Sequence, residues 1–450
     1  MATTQSSPEP RRGFGLLHAT ALNMSNVVGV GPFITIPLML ASMGGPQVLL
    51  GWILGALLAA CDGQVWSELG AAWPGSGGSY RYLREAYGPQ GAGRLMAFLF
   101  IWAFVLSGPM EIASGMIGFS KYATYLVPTM TGMEQKLLAA SVGVVALGLL
   151  YRKITGVAHI TITLWAGTVA TMLAIIIAGV PHFDPKLAFS FPPGAFTFSR
   201  GFFLGLGSAM LIAMYDYVGY YDVCYIADEV RDPVRTIPRS ILYCVIATAT
   251  GYLIIETVII GVVPWRQAMQ SQFVVSDFMQ RLHGHAAAVA ITAAILWTAF
   301  AAVFAVLLGY SHIPYAAARD GYFFKPFARL HPTKHFPHVS LLVLSGVTIS
   351  AAFLELDVVI SALITTRVLV QFLAQIVALP LMRRRLPPEQ RPYKMWLYPA
   401  PAVVAFLGWS YIFLTSGWKY IAAGLVTLLA GVVVFFWHAR RNATWPFERA

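Results

Sequence analysis

Charge is the scarcest property of this chain. Only 11% of its 450 residues are Asp, Glu, Lys or Arg, where a soluble globular chain carries about a quarter. Cysteine is scarcer still. Cys61, Cys224 and Cys244 all fall in apolar stretches, which excludes an extracellular disulfide framework. Metal-ligand spacing is missing too: His331, His335 and His338 share one loop, but no carboxylate or thiol joins them. No nucleophile is paired with a base, so nothing supports an enzyme. No stretch reads as an added soluble domain, and no cofactor is expected.

What fills the chain is hydrophobic, 58% of it, in apolar runs of about 20 residues, each long enough to cross roughly 30 Å of hydrocarbon. The expectation is an all-α integral membrane protein with about twelve spans, near 14–43, 47–72, 94–127, 134–151, 157–180, 200–227, 237–263, 286–315, 338–355, 357–382, 397–416 and 418–438. The fourth, ninth and eleventh are the least distinct. The polar first 13 residues followed by a full span argue against a cleavable signal peptide.

A net charge of +11 suggests nucleic acid only until the charges are placed. With the N-terminus cytoplasmic, most Lys and Arg fall in inner loops, Arg81, Arg84, Arg152, Lys153, Arg231, Arg319, Arg383, Arg384 and Arg385 among them. Lys121, Lys136, Lys186, Arg200, Arg266, Arg281 and Lys419 fall outside. That asymmetry is the positive-inside rule. It puts both termini in the cytoplasm and makes the bilayer, not nucleic acid, the partner. Nothing in the pattern fixes an oligomeric state.

Two spans are interrupted. "NMSNVVGVGPFITIP" (Asn23 to Pro37) places Gly29, Gly31 and Pro32 within the first, and "MYDYVGYYDV" (Met214 to Val223) places Gly219 midway through the sixth. A break in hydrocarbon frees N–H and C=O groups and is tolerated where it lines a cavity. Pro32 removes a donor and clashes with the preceding turn; it also suits the first turn of a new half-helix. Five spans precede the second break (14–180) and five follow from it (200–385), then two more (397–438), between tails 1–13 and 439–450. An odd number of spans per half gives inverted repeats, and paired broken helices mark a transporter's midplane site. Unwinding is expected near Val28–Pro32 and Tyr217–Tyr220.

Further motifs follow in order: "WSELGAAWPGSGGSYRYLREAYGP" (Trp66 to Pro89), "ADEVRDPVRTIPRSI" (Ala227 to Ile241), "AARDGYFFKPFARLH" (Ala317 to His331) and "RPYKMWLYP" (Arg391 to Pro399). With "GVGPF", the chain resembles the amino acid–polyamine–organocation transporter superfamily over nearly its whole length. The resemblance implies a LeuT-like fold, ten core helices in two inverted repeats plus two peripheral helices. It also implies a secondary active transporter, mostly a proton-coupled symporter or an exchanger, in the plasma membrane. By motif position, the amides of Gly29, Val30 and Gly31 would bind a substrate carboxylate. The carbonyls of Val27, Tyr215 and Val218 would hold its amine. Tyr215 would close over the substrate, with Tyr217 a neighbouring candidate and Gly219 at the second break. Val30 stands where many relatives have Ser, and Pro32 where most have Ile or Val; plant-type polyamine permeases share the Gly-Pro-Phe.

Ionisable groups within spans are functional candidates by default. Glu111, near mid-depth of the third span, reads as a partner for a substrate ammonium, a proton carrier, or one half of a structural ion pair. Asp216 and Asp222 flank the second break and read as substrate or proton groups. Asp62, in the second span, reads as a proton relay or a partner for Arg367. Arg367, Gln371 and Gln375 recur every four residues as one polar stripe, with Arg367 neutralising a buried acid. Asp228, Glu229, Arg231, Asp232 and Arg235 read as an inner gate or fold-holding network. Some proton-coupled relatives replace a sodium ion with a fifth-span lysine, which is absent between Gly156 and Gly179. Thr298 and Ser311 would be sodium ligands if that ion is used, so these residues leave the coupling ion open; the resemblance implies a proton, with sodium as the alternative. The expected cargo is a small amine-bearing solute, an amino acid or a polyamine, with three acids near the breaks tilting it toward a cation. The rivals are a neutral amino-acid permease using Glu111 as proton carrier, and a nutrient sensor on a transporter scaffold.

Overall fold

The computed structural model describes residues 15–75, 77–151, 157–334 and 336–441; the side chains of 157–162, 228 and 229 lie outside that description. So do most of both tails, Arg152, Lys153 and His335. Among the described residues there is no strand. The helices are α1 (Leu16–Val27), α2 (Gly31–Ile34), α3 (Ile36–Met43), α4 (Leu49–Ala72), α5 (Ser79–Tyr87), α6 (Ala92–Leu126), α7 (Gly132–Leu150), α8 (Val157–Gly179), α9 (Pro185–Ala188), α10 (Arg200–Tyr217), α11 (Pro233–Ile260), α12 (Trp265–Gln270), α13 (Val274–His283), α14 (His285–Arg319), α15 (His338–Ala351), α16 (Leu356–Arg367), α17 (Gln375–Arg385), α18 (Ala400–Thr415) and α19 (Trp418–Arg441).

Nine helical stretches are long and apolar enough to cross a membrane among the described residues, and the bent α1–α3 unit makes a tenth. The count of twelve is not reached on length, because α15 and α18 have 14 and 16 residues. At 1.5 Å per residue they reach about 21 and 24 Å, short of the roughly 30 Å hydrocarbon core. These are the ninth and eleventh expected spans, two of the three least distinct in sequence.

Helix packing repeats itself when the two halves are exchanged. The α4–α11 and α6–α14 contacts map onto themselves. The α1–α11 contact maps onto α10–α4, α8–α14 onto α16–α6, and α6–α7 onto α14–α15. The interrupted spans obey the same exchange, with α10 against α3 and α1 against the 3₁₀ segment Asp222–Glu229.

The first interruption has two parts. Residues Val28–Val30 are unwound, and Pro32 lies in the first turn of α2. Thr35 then marks a 61° bend before α3. Both discontinuities follow from proline, which has no N–H and clashes with the carbonyl four residues back. For Pro32 that residue is Val28; for Pro37 it is Phe33, whose freed carbonyl accepts the Tyr122 hydroxyl at 2.8 Å. In the sixth span α10 ends at Tyr217, and Val218–Tyr221 form a turn before the 3₁₀ segment, one residue later than expected.

Gly219 makes that turn possible. Its φ is +117°, and an added Cβ would lie 3.2 Å from both Val27 N and Val27 Cγ2, so the two breaks touch backbone to backbone. Gly219→Ala is expected to lose about 1–3 kcal/mol through backbone strain and to melt at a lower temperature in detergent. Gly309→Ala is the control: within α14 and with nothing within 4 Å of the new methyl, it should match or exceed wild type.

The tenth span departs from regular α geometry. Residues Val368–Ala374 are π-helical, which changes the phase between Arg367, Gln371 and Gln375. The expected single stripe is divided. Arg367 faces Glu111, Gln371 donates to Tyr221 at 2.8 Å, and the buried Gln375 amide has no partner among the described residues. At the far end of α17, Arg383 grips the fully buried Glu68 through Nε (2.8 Å) and Nη2 (2.6 Å), and Met395 N–H adds a third bond to the same carboxylate. Of the expected inner network, Arg235 and Asp232 pair at 3.8 Å, both exposed, a contact worth little. The side chains of Asp228 and Glu229 lie outside the described residues.

Candidate functional site

One cavity touches both interrupted spans. Asn26, Val27, Gly29, Val30 and Gly31 line it from the first, and Tyr215, Asp216 and Val218 from the sixth. Glu111, Ile112, Ser114 and Gly115 of α6 and Ala302, Val303 and Val306 of α14 complete the wall. It encloses about 440 Å³ between atoms, including the part open to solvent.

Two kinds of helix end meet at its wall. The N–H groups of Val30 and Gly31 have no backbone acceptor among the described residues, and they sit where a half-helix begins, so they favour negative charge. The last carbonyls of α10, from Tyr215 to Val218, accept no backbone hydrogen bond; they favour positive charge. The Val27 carbonyl is different. It already accepts Gly29 N–H at 2.9 Å and the Tyr252 hydroxyl at 2.8 Å, which fills both lone pairs. Val27 therefore lines the cavity without a free acceptor.

The sequence placed acids near the breaks without saying which face the cavity. Glu111 does. Its Oε2 lies 2.7 Å from Arg367 Nη2 and accepts the Tyr310 hydroxyl at 2.7 Å. Arg367 is 1% exposed, holds Ser107 Oγ at 3.2 Å through Nε, and lies over the rings of Phe104 and Tyr310. The buried acid that Arg367 neutralises is thus Glu111. Asp62 instead accepts Tyr220 OH at 2.6 Å and Trp66 Nε1 at 2.9 Å, away from the cavity. Asp222 lies behind the break, held by Asn26 Nδ2 at 2.6 Å, while Asn23 accepts the next amide, Val223 N–H. Asp216 lines the cavity, 2.6 Å from Thr35 Oγ1.

Tyr215 and Tyr217 part company because helical positions two apart are separated by about 200° around the axis. Tyr215 lines the cavity and its hydroxyl meets Ser114 Oγ at 2.7 Å. Tyr217 is packed behind it against Trp52 and Tyr252, with ring centroids at 5.5 and 5.8 Å. Gly219 shapes the break from behind the wall. Thr298 and Ser311 spend their hydroxyls on the carbonyls of Ala294 and Leu308 and lie outside the cavity wall.

Several site residues were passed over in sequence. Ser114 lies one turn after Glu111, a spacing that signals a shared face. The wall from α14 is the small and branched run Ala302, Val303 and Val306, indistinguishable in sequence from lipid-facing residues. Glu256 is an intramembrane acid by the same criterion that selected Glu111. It is 1% exposed, and its Oε2 accepts Trp52 Nε1 at 2.5 Å.

Known proteins agree with this architecture. Residues 14–447 match the family described as amino acid permease. The human cystine/glutamate transporter is 25% identical over 408 residues, covering 89% of this chain and 80% of the relative. The branched-chain amino acid permease BcaP of Bacillus subtilis is 22% identical over 461 residues, covering 98% and 96%. The Asc-type amino acid transporter 1 of Mus musculus is 26% identical over 457 residues, covering 98% and 84%.

Proposed function

The chain belongs to the amino acid permease family, and from that premise we propose that it carries a neutral amino acid across the membrane by alternating access. One observation supports this most: one cavity is lined both by amides at the start of α2 and by carbonyls at the end of α10 that have no backbone partner among the described residues. That is the complement of a zwitterion, carboxylate to amides and ammonium to the carbonyls of Tyr215 and Val218. The remaining wall, from Ile112, Gly115, Ala302, Val303 and Val306, suits a small or branched apolar side chain.

Substrate charge separates this reading from a basic amino acid or polyamine. Three acids near the breaks favoured a cation in sequence. In the structure Asp222 lies outside the cavity wall, bonded to Asn26, and Glu111 is already opposed by Arg367 at 2.7 Å. A second ammonium would compete with a fixed guanidinium for that carboxylate. The exchange symmetry of the helix contacts, with five spans per half, supports inverted repeats over 14–180 and 200–385, with 397–438 peripheral. The basic inner loops support a plasma-membrane protein with both termini cytoplasmic.

A thermal-shift panel on the purified protein tests the reading. Leucine, valine and alanine are expected to raise the melting temperature, and putrescine, spermidine and lysine to leave it unchanged. Stabilisation by the cations alone would overturn the neutral assignment.

A further inference from the structure

Asp216 and Thr35 meet where the two broken spans face each other. Thr35 Oγ1 lies 2.6 Å from Asp216 Oδ2 and 3.0 Å from the Gly31 carbonyl oxygen. A threonine hydroxyl carries one hydrogen, and a carbonyl can only accept. With one hydrogen for two acceptors, Thr35 either shares it as a three-centre bond or makes two full hydrogen bonds, and two full bonds have one arrangement. Thr35 donates to Gly31, and a protonated Asp216 donates to Thr35. The other oxygen, Oδ1, is buried without a partner and rests against Gly31 in the cavity wall.

The surroundings fit a neutral carboxyl. Among the described residues no Arg or Lys forms an ion pair with Asp216. From α11, Glu256 and Tyr252 are near it; from α10 itself, Tyr215 and Tyr217. The α2 and α3 segments hold no titratable side chain. Asp62 of α4 is bonded to Tyr220 and Trp66, Arg367 of α16 is paired with Glu111, and Tyr411 of α18 donates to the Phe203 carbonyl. Across the cavity stands Glu111 of α6.

We infer that Asp216 is the proton carrier of the transport cycle. It is protonated in the state seen here and latches α10 to the half-helix whose amides receive the substrate carboxylate. The inference rests on the amino-acid reading above and supplies its driving ion. An ionised Asp216 places negative charge against Gly31, where the substrate carboxylate arrives, so proton and substrate enter together. On the far side the proton passes from Oδ2 to water. The carboxylate then takes the single Thr35 hydrogen, the Thr35–Gly31 bond is lost, and the substrate carboxylate is repelled. No other bond is made or broken.

Calorimetric titration of the purified protein with leucine tests this, over about pH 5 to 9 and in two buffers of unlike ionisation enthalpy. Wild type is expected to take up protons on binding at high pH, with affinity falling by up to about tenfold per pH unit. Asp216→Asn keeps a donor toward Thr35 but cannot ionise. It should bind with pH-independent affinity and no proton uptake, and in proteoliposomes it should keep exchange and lose accumulation driven by a pH gradient. Flat wild-type affinity without proton uptake overturns the inference, as does an Asn variant that keeps the wild-type pH dependence. If the Asn variant does not fold, Asp216→Glu moves the carboxyl by one methylene and should shift the pH midpoint; an unshifted midpoint overturns the assignment. Binding that is pH-independent leaves the amino-acid reading standing, whereas wild type that binds no amino acid at any pH removes both.

Discussion

Gly31→Leu is expected to abolish uptake while the protein still reaches the membrane. A methyl built on Gly31 would sit 2.1 Å from Asp216 Oδ1 and 3.3 Å from Tyr215 Cε1, far inside contact distance. The substitution therefore acts first on the Asp216 latch between the two broken spans. It does not begin by filling empty substrate space. Overpacking of this kind costs about 1–3 kcal/mol, or roughly 5- to 150-fold in a binding constant, which is the range expected for Gly31→Ala. Leucine extends further, toward the amides of Val30 and Gly31, and should leave no measurable transport. Radiolabelled uptake, normalised to the amount of folded protein on size-exclusion chromatography, checks both variants. Wild-type uptake by Gly31→Leu would remove the first break from the site.

The second large effect is on stability. Glu111→Leu strands the guanidinium of Arg367 in a buried setting with Ser107 and two rings for company. Breaking a buried pair from one side costs about 3–5 kcal/mol, so the melting temperature in detergent should fall steeply. Glu111→Leu combined with Arg367→Met should regain most of it, since apolar replacement of both partners removes the desolvation penalty with the charges. Equal destabilisation by the single and double variants would show that the pair does not act as a unit. The milder Glu111→Gln separates roles. Lower stability with leucine binding retained fits an ion pair beside the cavity, and selective loss of cation binding fits a substrate counter-ion.

The breaks were legible because glycine and proline act locally. Pro32 and Pro37 each disrupt the carbonyl four residues earlier, and nothing distant is needed to foresee it. Glu111 and Arg367 were legible as costly charges in a bilayer, but their pairing was not. Asp62 and Glu111 were equally good partners until packing put α6 against α16 and α4 against the second break. Residue type alone also failed to separate Tyr215 from Tyr217, or to show that the Val27 carbonyl is taken by Tyr252. The π-helical turns at Val368–Ala374 leave no mark in the local sequence, so the polar stripe was drawn with the wrong period. The count of twelve spans turns on helix length. The apolar runs at α15 and α18 are long enough in sequence, but the helices within them are shorter than the runs.

Counterflow in proteoliposomes tests the central claim most directly. Vesicles holding the purified protein and loaded with unlabelled leucine would be diluted into trace radiolabelled leucine, with lysine-loaded and putrescine-loaded vesicles run in parallel against their own labels. A neutral zwitterion held between the two breaks predicts accumulation of leucine label above empty liposomes, and none of lysine or putrescine. Counterflow of lysine or putrescine without leucine would contradict it.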